Sequence, residues 1–243
     1  MKWSNKFLLP SVILGISLLC SVIFAALVWR NYKLSGQTIT VTGSASQEIV
    51  SNLGILQGSV QVERPTAENA YRELKKEMPE LKAYLKKQGI KDHQIKLFPV
   101  NCYPVHETNS KGMRTNRISA YRYSQRIEVT SDNVQKIRHL SLDISSVVET
   151  GIMFQQQSPR YIYSNLAPLK IKIQSLAAKD AMKRAEEIIK ATGRKLGPLS
   201  GARMGVIQIT PVYSNAVSNY GINDQTSIRK EITGVVTATF VVR

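Results

Sequence analysis

No charged side chain interrupts residues 7–29, a run of 23. At about 1.5 Å of helical rise per residue, such a run spans the roughly 30 Å hydrocarbon core of a bilayer. Lys2 and Lys6 precede it, and Arg30 and Lys33 follow it. The two tryptophans of the chain, Trp3 and Trp29, fall near its ends, where amphipathic rings favour the headgroup region. Pro10 falls near the first turn, where a helix tolerates it. A cleaved secretory signal is the rival reading. Its apolar region is shorter, about 7–15 residues, and ends at a small-x-small site. Here Ala25-Ala26-Leu27 leads instead into the bulky Val28 and Trp29. Cys20 follows Leu18-Leu19 rather than a small residue, so it reads as an apolar helix position and not as a lipid-attachment cysteine. The expectation is a transmembrane signal anchor at 7–29, a cytoplasmic tail at 1–6, a linker at 30–37 and a folded domain at 38–243. Basic residues are balanced across the run, so with the terminal amine the positive-inside rule leans only slightly towards a cytoplasmic N-terminus.

Composition narrows what the folded part can do. The chain of 243 residues is 43% hydrophobic and 21% charged, which excludes a disordered tail and a multi-pass membrane protein. Lys and Arg outnumber Asp and Glu by 33 to 17, a formal charge of +16. Two cysteines, Cys20 and Cys102, are too few for a disulfide framework or a four-thiolate zinc site. With only three histidines, at 93, 106 and 139, metal ligands and neutral-pH bases are scarce, and no cofactor or metal is expected.

Hydrophobic periodicity supplies the elements. Residues 38–41 alternate as a strand, and after Gly43 a second strand puts Leu56, Gly58, Val60 and Val62 on one face. Pro65-Thr66 opens a helix whose Ala67, Ala70, Leu74, Met78, Leu81 and Leu85 recur at steps of three or four, with Pro79 expected to kink or split it. Residues 95–104 and 120–130 read as strands joined by a long polar connection, 106–117. Asp132 and Gln135 stand at capping-box spacing before a second helix with an apolar stripe from Val134 to Val147, closed by Gly151. Short strands follow at 152–156 and 161–163. A third helix, 166–192, carries the stripe Leu169, Ile173, Ala177, Ala181, Ala185, Ile188 and Thr192, with Gly193 and Gly197-Pro198 as stops. Strands at 202–210 and 231–242 close the chain, the last apolar on both faces as a central strand or a buried edge is. Between them, 211–227 is the longest loop. The order ββ-α-ββ-α-β-α-ββ points to an α+β protein: one or more antiparallel β-sheets with three main helices packed on them, two β-rich lobes being one arrangement although no sequence repeat marks them, preceded by one N-terminal transmembrane helix.

Several short motifs, in order, resemble the SIMPL-domain family of bacterial envelope proteins. They are Ile39-Thr40-Val41-Thr42-Gly43-Ser44-Ala45; Leu85 to Ile90 with His93-Gln94-Ile95; Tyr121-Arg122-Tyr123-Ser124-Gln125; the Ala-rich helix with Gly193-Arg194-Lys195-Leu196-Gly197; and the closing run from Ile232 to Phe240. The resemblance implies a periplasmic or outward-facing domain with a helix-decorated sheet, on an inner-membrane anchor or secreted after signal cleavage. It also implies links to oxidative-stress tolerance, surface antigens and self-assembly, here as a homo-oligomer. It supplies no catalytic residue.

Candidate chemistry is sparse. Cys102 and His106, four apart, are the pair from which a thiol-dependent enzyme would be built, but sequence proximity alone does not set a base against a thiolate. Gly193 to Gly197 lacks the Gly-Lys-Ser/Thr ending of a phosphate loop and reads as a helix stop. The remaining signal is basic: Arg114, Arg117, Arg122 and Arg126 lie on and beside one hairpin arm, interleaved with Tyr121 and Tyr123. Arg122 and Arg126 share a strand face and the tyrosines point to the other, towards the core. These arginines form the candidate interaction surface, for anionic envelope polymers or a lipid surface. Single-stranded nucleic acid would be a partner only if the topology were inverted and the basic domain were cytoplasmic. The expectation is thus a membrane-anchored, extracytoplasmic, non-enzymatic domain that self-associates or binds an envelope partner.

Overall fold

The computed structural model describes residues 8–35 and 37–243. Lys2, Trp3, Lys6 and Phe7, and with them the expected tail, lie outside the described residues. Helix α1 (Leu8–Ser35) contains the apolar run from Leu8 onward, and Ser11–Trp29, of mean hydropathy 2.6, has no residue buried within the chain. By length and composition it can cross a membrane. The hydroxyls of Ser17 and Ser21 bond back to the carbonyls of Leu14 (3.0 Å) and Ser17 (2.8 Å), which satisfies polar groups that lipid would not. Residues 30–35 of the expected linker continue the helix, because nothing between Arg30 and Ser35 breaks it.

Two antiparallel sheets follow. The first contains β1 (Thr38–Val50), β7 (Leu196–Met204), β8 (Gln208–Pro211) and β9 (Arg229–Val242), with β9 central between β1 on one side and β7 and β8 on the other. The second contains β2 (Leu53–Arg64), β3 (Ile95–Thr108), β4 (Arg114–Ser131), β5 (Phe154–Gln156) and β6 (Arg160–Ile162), in the order β3-β4-β2, with β5 and β6 both on the far side of β2. β1 does not stop at Gly43. It pairs with β9 from Thr38↔Val241 to Val50↔Arg229, and the chain then passes through Ser51-Asn52 into the second sheet. The last strand is central, as expected, although only one face is buried; the other, carrying Thr237 and Thr239, is half-buried and bonds across to Thr42 (3.2 Å) and Thr40 (2.9 Å).

Each sheet has its own helix layer. α2 (Ala67–Lys87) and α3 (Val134–Asp143) lie on the second sheet, where Leu56, Val60, Leu74, Leu81, Leu85, Ile127, Ile137 and Ile144 form the largest core. α4 (Leu166–Ala191) lies on the first, against Val41, Ala238 and Phe240 at one end and Ile49, Ile209 and Ile232 at the other. Pro79 does not split α2, because buried residues on both sides of it hold the helix on the sheet. The Thr66 hydroxyl accepts from the Asn69 amide at 3.3 Å and caps α2. The cap of α3 is Asn133, not Asp132: its Oδ1 accepts from the Lys136 amide at 3.1 Å. A 3-10 turn (Ile144–Thr150) continues α3 to Gly151, whose φ of 88° is the left-handed stop expected there. At the end of α4, Ile189 rather than Ile188 closes the buried stripe. The helix ends at Ala191, ahead of the expected stops, and Gly197-Pro198 falls inside β7, in an irregular stretch where the pairing to β9 shifts register.

Candidate interaction surface

The expected connection 106–117 is mostly strand. β3 and β4 pair out to Thr108↔Arg114, whereas β2 stops pairing with β4 at Arg64↔Tyr121. Beyond that row the two strands run on alone as a two-stranded ribbon, with Asn109 closing its turn by accepting from the amides of Lys111 (3.0 Å) and Met113 (2.9 Å). The ribbon bends where the register shifts between Val105 and His106 and again before Thr108. His106 is held inside it, its Nδ1 3.0 Å from the Thr115 carbonyl oxygen. Met113 and Ile118 stand exposed beside the charges.

This geometry divides the four arginines. Arg114 and Arg117 are on the ribbon. Arg117 is 80% exposed at the side chain and has only a distant carboxylate, Glu107 at 3.9 Å; among the described residues Arg114 makes no ion pair. Arg122 and Arg126 lie within the sheet, already engaged. Arg122 donates through Nε (3.1 Å) and Nη2 (2.8 Å) to Oε2 of Glu63, its cross-strand partner. The Arg126 guanidinium lies 3.9 Å from the centre of the Phe98 ring, a cation–π contact. Tyr123 packs against the core and meets Tyr71 at 5.7 Å between ring centres, as expected of a tyrosine turned inward.

Cys102 and His106 are not brought together. Four residues of strand separate them by roughly 13 Å, far beyond a thiolate–imidazole contact. Cys102 is exposed opposite Tyr123. The thiol, as hydrogen-bond partner, is the first cause that raises the Tyr123 pKa above its ordinary value, with burial second. Two charged residues that the sequence reading passed over are buried instead: Glu77 on α2 and Lys230 on β9, 8% and 2% exposed. A signal for both was present. Glu77 stands three after Leu74 and four before Leu81, and Lys230 alternates with Ile232 and Gly234, so each occupies a core-facing place in its own period.

Two helix-covered antiparallel sheets behind an N-terminal apolar helix, with an exposed basic ribbon, define a membrane-associated or exported α+β domain. The family model for SIMPL, described as "Protein of unknown function (DUF541)", matches residues 39–240, and the chain belongs to that family. No curated protein matches the chain.

Proposed function

We propose that α1 remains in the inner membrane and holds the SIMPL domain on the outer side, where the domain acts by binding an anionic envelope polymer or lipid surface and not by catalysis. The observation that carries this reading is the β3–β4 ribbon: it leaves the sheet with Arg114 in no ion pair among the described residues and Arg117 facing Glu107 only at 3.9 Å, while Arg122 and Arg126 are held behind it. The separation of Cys102 from His106 supports the non-catalytic part. Self-association is the second reading, favoured by the outer edges of β1 and β3, which no strand among the described residues covers.

Four measurements test it. Alkaline phosphatase fused after Arg243 is expected to be active, and the full-length chain to stay in the membrane fraction; an inactive fusion, or a shortened soluble chain, overturns the topology. The detergent-solubilised chain is expected to bind phosphatidylglycerol vesicles over phosphatidylcholine ones. Each basic residue near an anionic surface contributes about 1 kcal/mol, so Arg114→Glu with Arg117→Glu is expected to weaken binding roughly tenfold or more, and salt to do the same. Binding unchanged by both substitutions removes the ribbon from the proposal. Loss of stress tolerance in a Cys102→Ser chain would overturn the non-catalytic part.

A further inference from the structure

The apolar stripe of α2 is interrupted by one carboxyl group. Glu77 lies among Leu74, Met78 and Leu81, is 8% exposed, and its Oε2 atom is buried without a hydrogen-bond partner. An unsatisfied buried carboxyl is costly, so a group in this state needs an explanation. Glu77 lines a cleft of about 470 Å³, within the size range of small-molecule sites. Its other walls include Gln61, Glu63 and Arg64 from β2, Arg122 from β4, and Met153 from the segment before β5.

The walls differ in charge. Around Glu77, the carboxylates of Glu73 and Glu80 share its helix, and the positive charges within reach are Lys76 on the same helix and Arg64 on β2. None of these gives Oε2 a hydrogen bond. Arg122, also lining the cleft, places two donors on a single oxygen of Glu63, and its side chain is still 49% exposed. Arg64 donates to the Glu63 carbonyl at 2.9 Å and is exposed beside it. Glu77 therefore lacks a hydrogen-bond donor, best supplied by a cation, while Arg122 and Arg64 have guanidinium groups to offer an anion.

We propose that this cleft binds a small zwitterion, a free amino acid or the ends of a short peptide, with the ammonium group on Glu77 and the carboxylate on Arg122 and Arg64. Gln61 and Met153 flank the body of the ligand. Burial first, and Glu73 next, raise the Glu77 carboxyl above the ordinary carboxylate range, the direction expected of a carboxyl group that lacks a close positive partner.

Calorimetric titration of the full-length chain in detergent micelles tests this with four probes: alanine, dialanine, N-acetyl-dialanine and dialanine amide. At least one of the two zwitterions is expected to saturate the site, and which one binds separates a free amino acid from a peptide. Blocking either end is expected to weaken binding at least about tenfold, the usual scale for losing a hydrogen bond to a charged group. Glu77→Gln is expected to lose the preference for a free amine, while circular dichroism shows it folded. Absence of millimolar binding by either zwitterion, equal affinity for a blocked probe, or full affinity in folded Glu77→Gln would overturn the proposal. None of these readouts depends on Arg114, Arg117 or the membrane topology, so failure here and failure of the ribbon reading are distinguishable.

Discussion

Glu77 and Lys230 occupy places that their surroundings reserve for apolar side chains, and the chain resolves the two cases differently. The Lys230 ammonium donates to the carbonyl oxygen of Tyr161 at 2.6 Å and to that of Asp224. Tyr161 belongs to the second sheet and Asp224 to the loop between β8 and β9, so one buried charge ties both to the first sheet. Burial pushes its pKa below the ordinary lysine value, with the charge of Asp224 opposing. Glu77 has no such closure. Its folded-state pKa lies above 4.5, so the stability it contributes is complete below the unfolded value and is lost as pH rises through the folded one. In Glu77→Gln this loss disappears. The variant is expected to unfold at a higher temperature than the parent at about pH 7.5 and at the same temperature at about pH 4, measured by thermal melts at the two pH values. A variant less stable at both would mean that the carboxylate is held by a partner. Both residues were visible as breaks in a period, but a period shows only that a charge faces inward. What meets it there depends on chain segments far away in sequence. The four arginines illustrate the same limit, since their shared neighbourhood was legible while their division between ribbon and sheet depends on where β2 ends.

At the scale of elements, α4 rests directly on β1. A methyl group placed on Gly43 would sit 2.2 Å from the Ala181 backbone nitrogen and 2.4 Å from the Ala177 carbonyl oxygen. The missing side chain at 43 and the small ones at 177, 181 and 185 are thus one arrangement, in which the helix backbone rests on the strand. Asp180, on the next turn face, accepts from the Ser44 amide at 2.9 Å and from Arg184 at 2.8 Å. It thereby occupies a donor of an edge strand that would otherwise stand open. Gly43→Ala is expected to cost about 3 kcal/mol, the upper part of the overpacking range, because backbone and not a flexible side chain must move. Urea denaturation of the domain checks it, and a loss below about 1 kcal/mol would show that α4 shifts freely. The helical stripe of α4 was readable almost residue by residue, since a helix satisfies its own backbone. The strands were less so. β1 beyond Gly43, β4 back to Arg114 and β7 across Pro198 owe their extent to partners that no local pattern names.

The division into two sheets is the least legible feature of all. A single extended stretch, 38–64, serves both, and only the two residues Ser51 and Asn52 mark the passage, bonding through their amides to Ile228 (2.8 Å) and Ile162 (3.0 Å). The N-terminal apolar helix, by contrast, was legible from composition alone, and it stands apart from the cores: none of the three buried clusters includes a residue of α1, and its described large apolar side chains are exposed. The domain begins at Gln37, whose carbonyl accepts from the Val242 amide at 2.8 Å and whose side chain meets Arg194. A chain starting at Gln37 is therefore expected to fold as the full chain does. Its melting temperature in the same detergent buffer should lie within about 3 °C of the full-length value, the shift that roughly 1 kcal/mol produces in a domain of this size. It should also leave the membrane fraction for the aqueous one. A truncated chain that melts far lower, or loses its near-ultraviolet circular dichroism, would show that α1 contributes to the fold. The helix would then have to bury part of its apolar surface on the sheets rather than in lipid, and the separation of anchor from domain would fail with it.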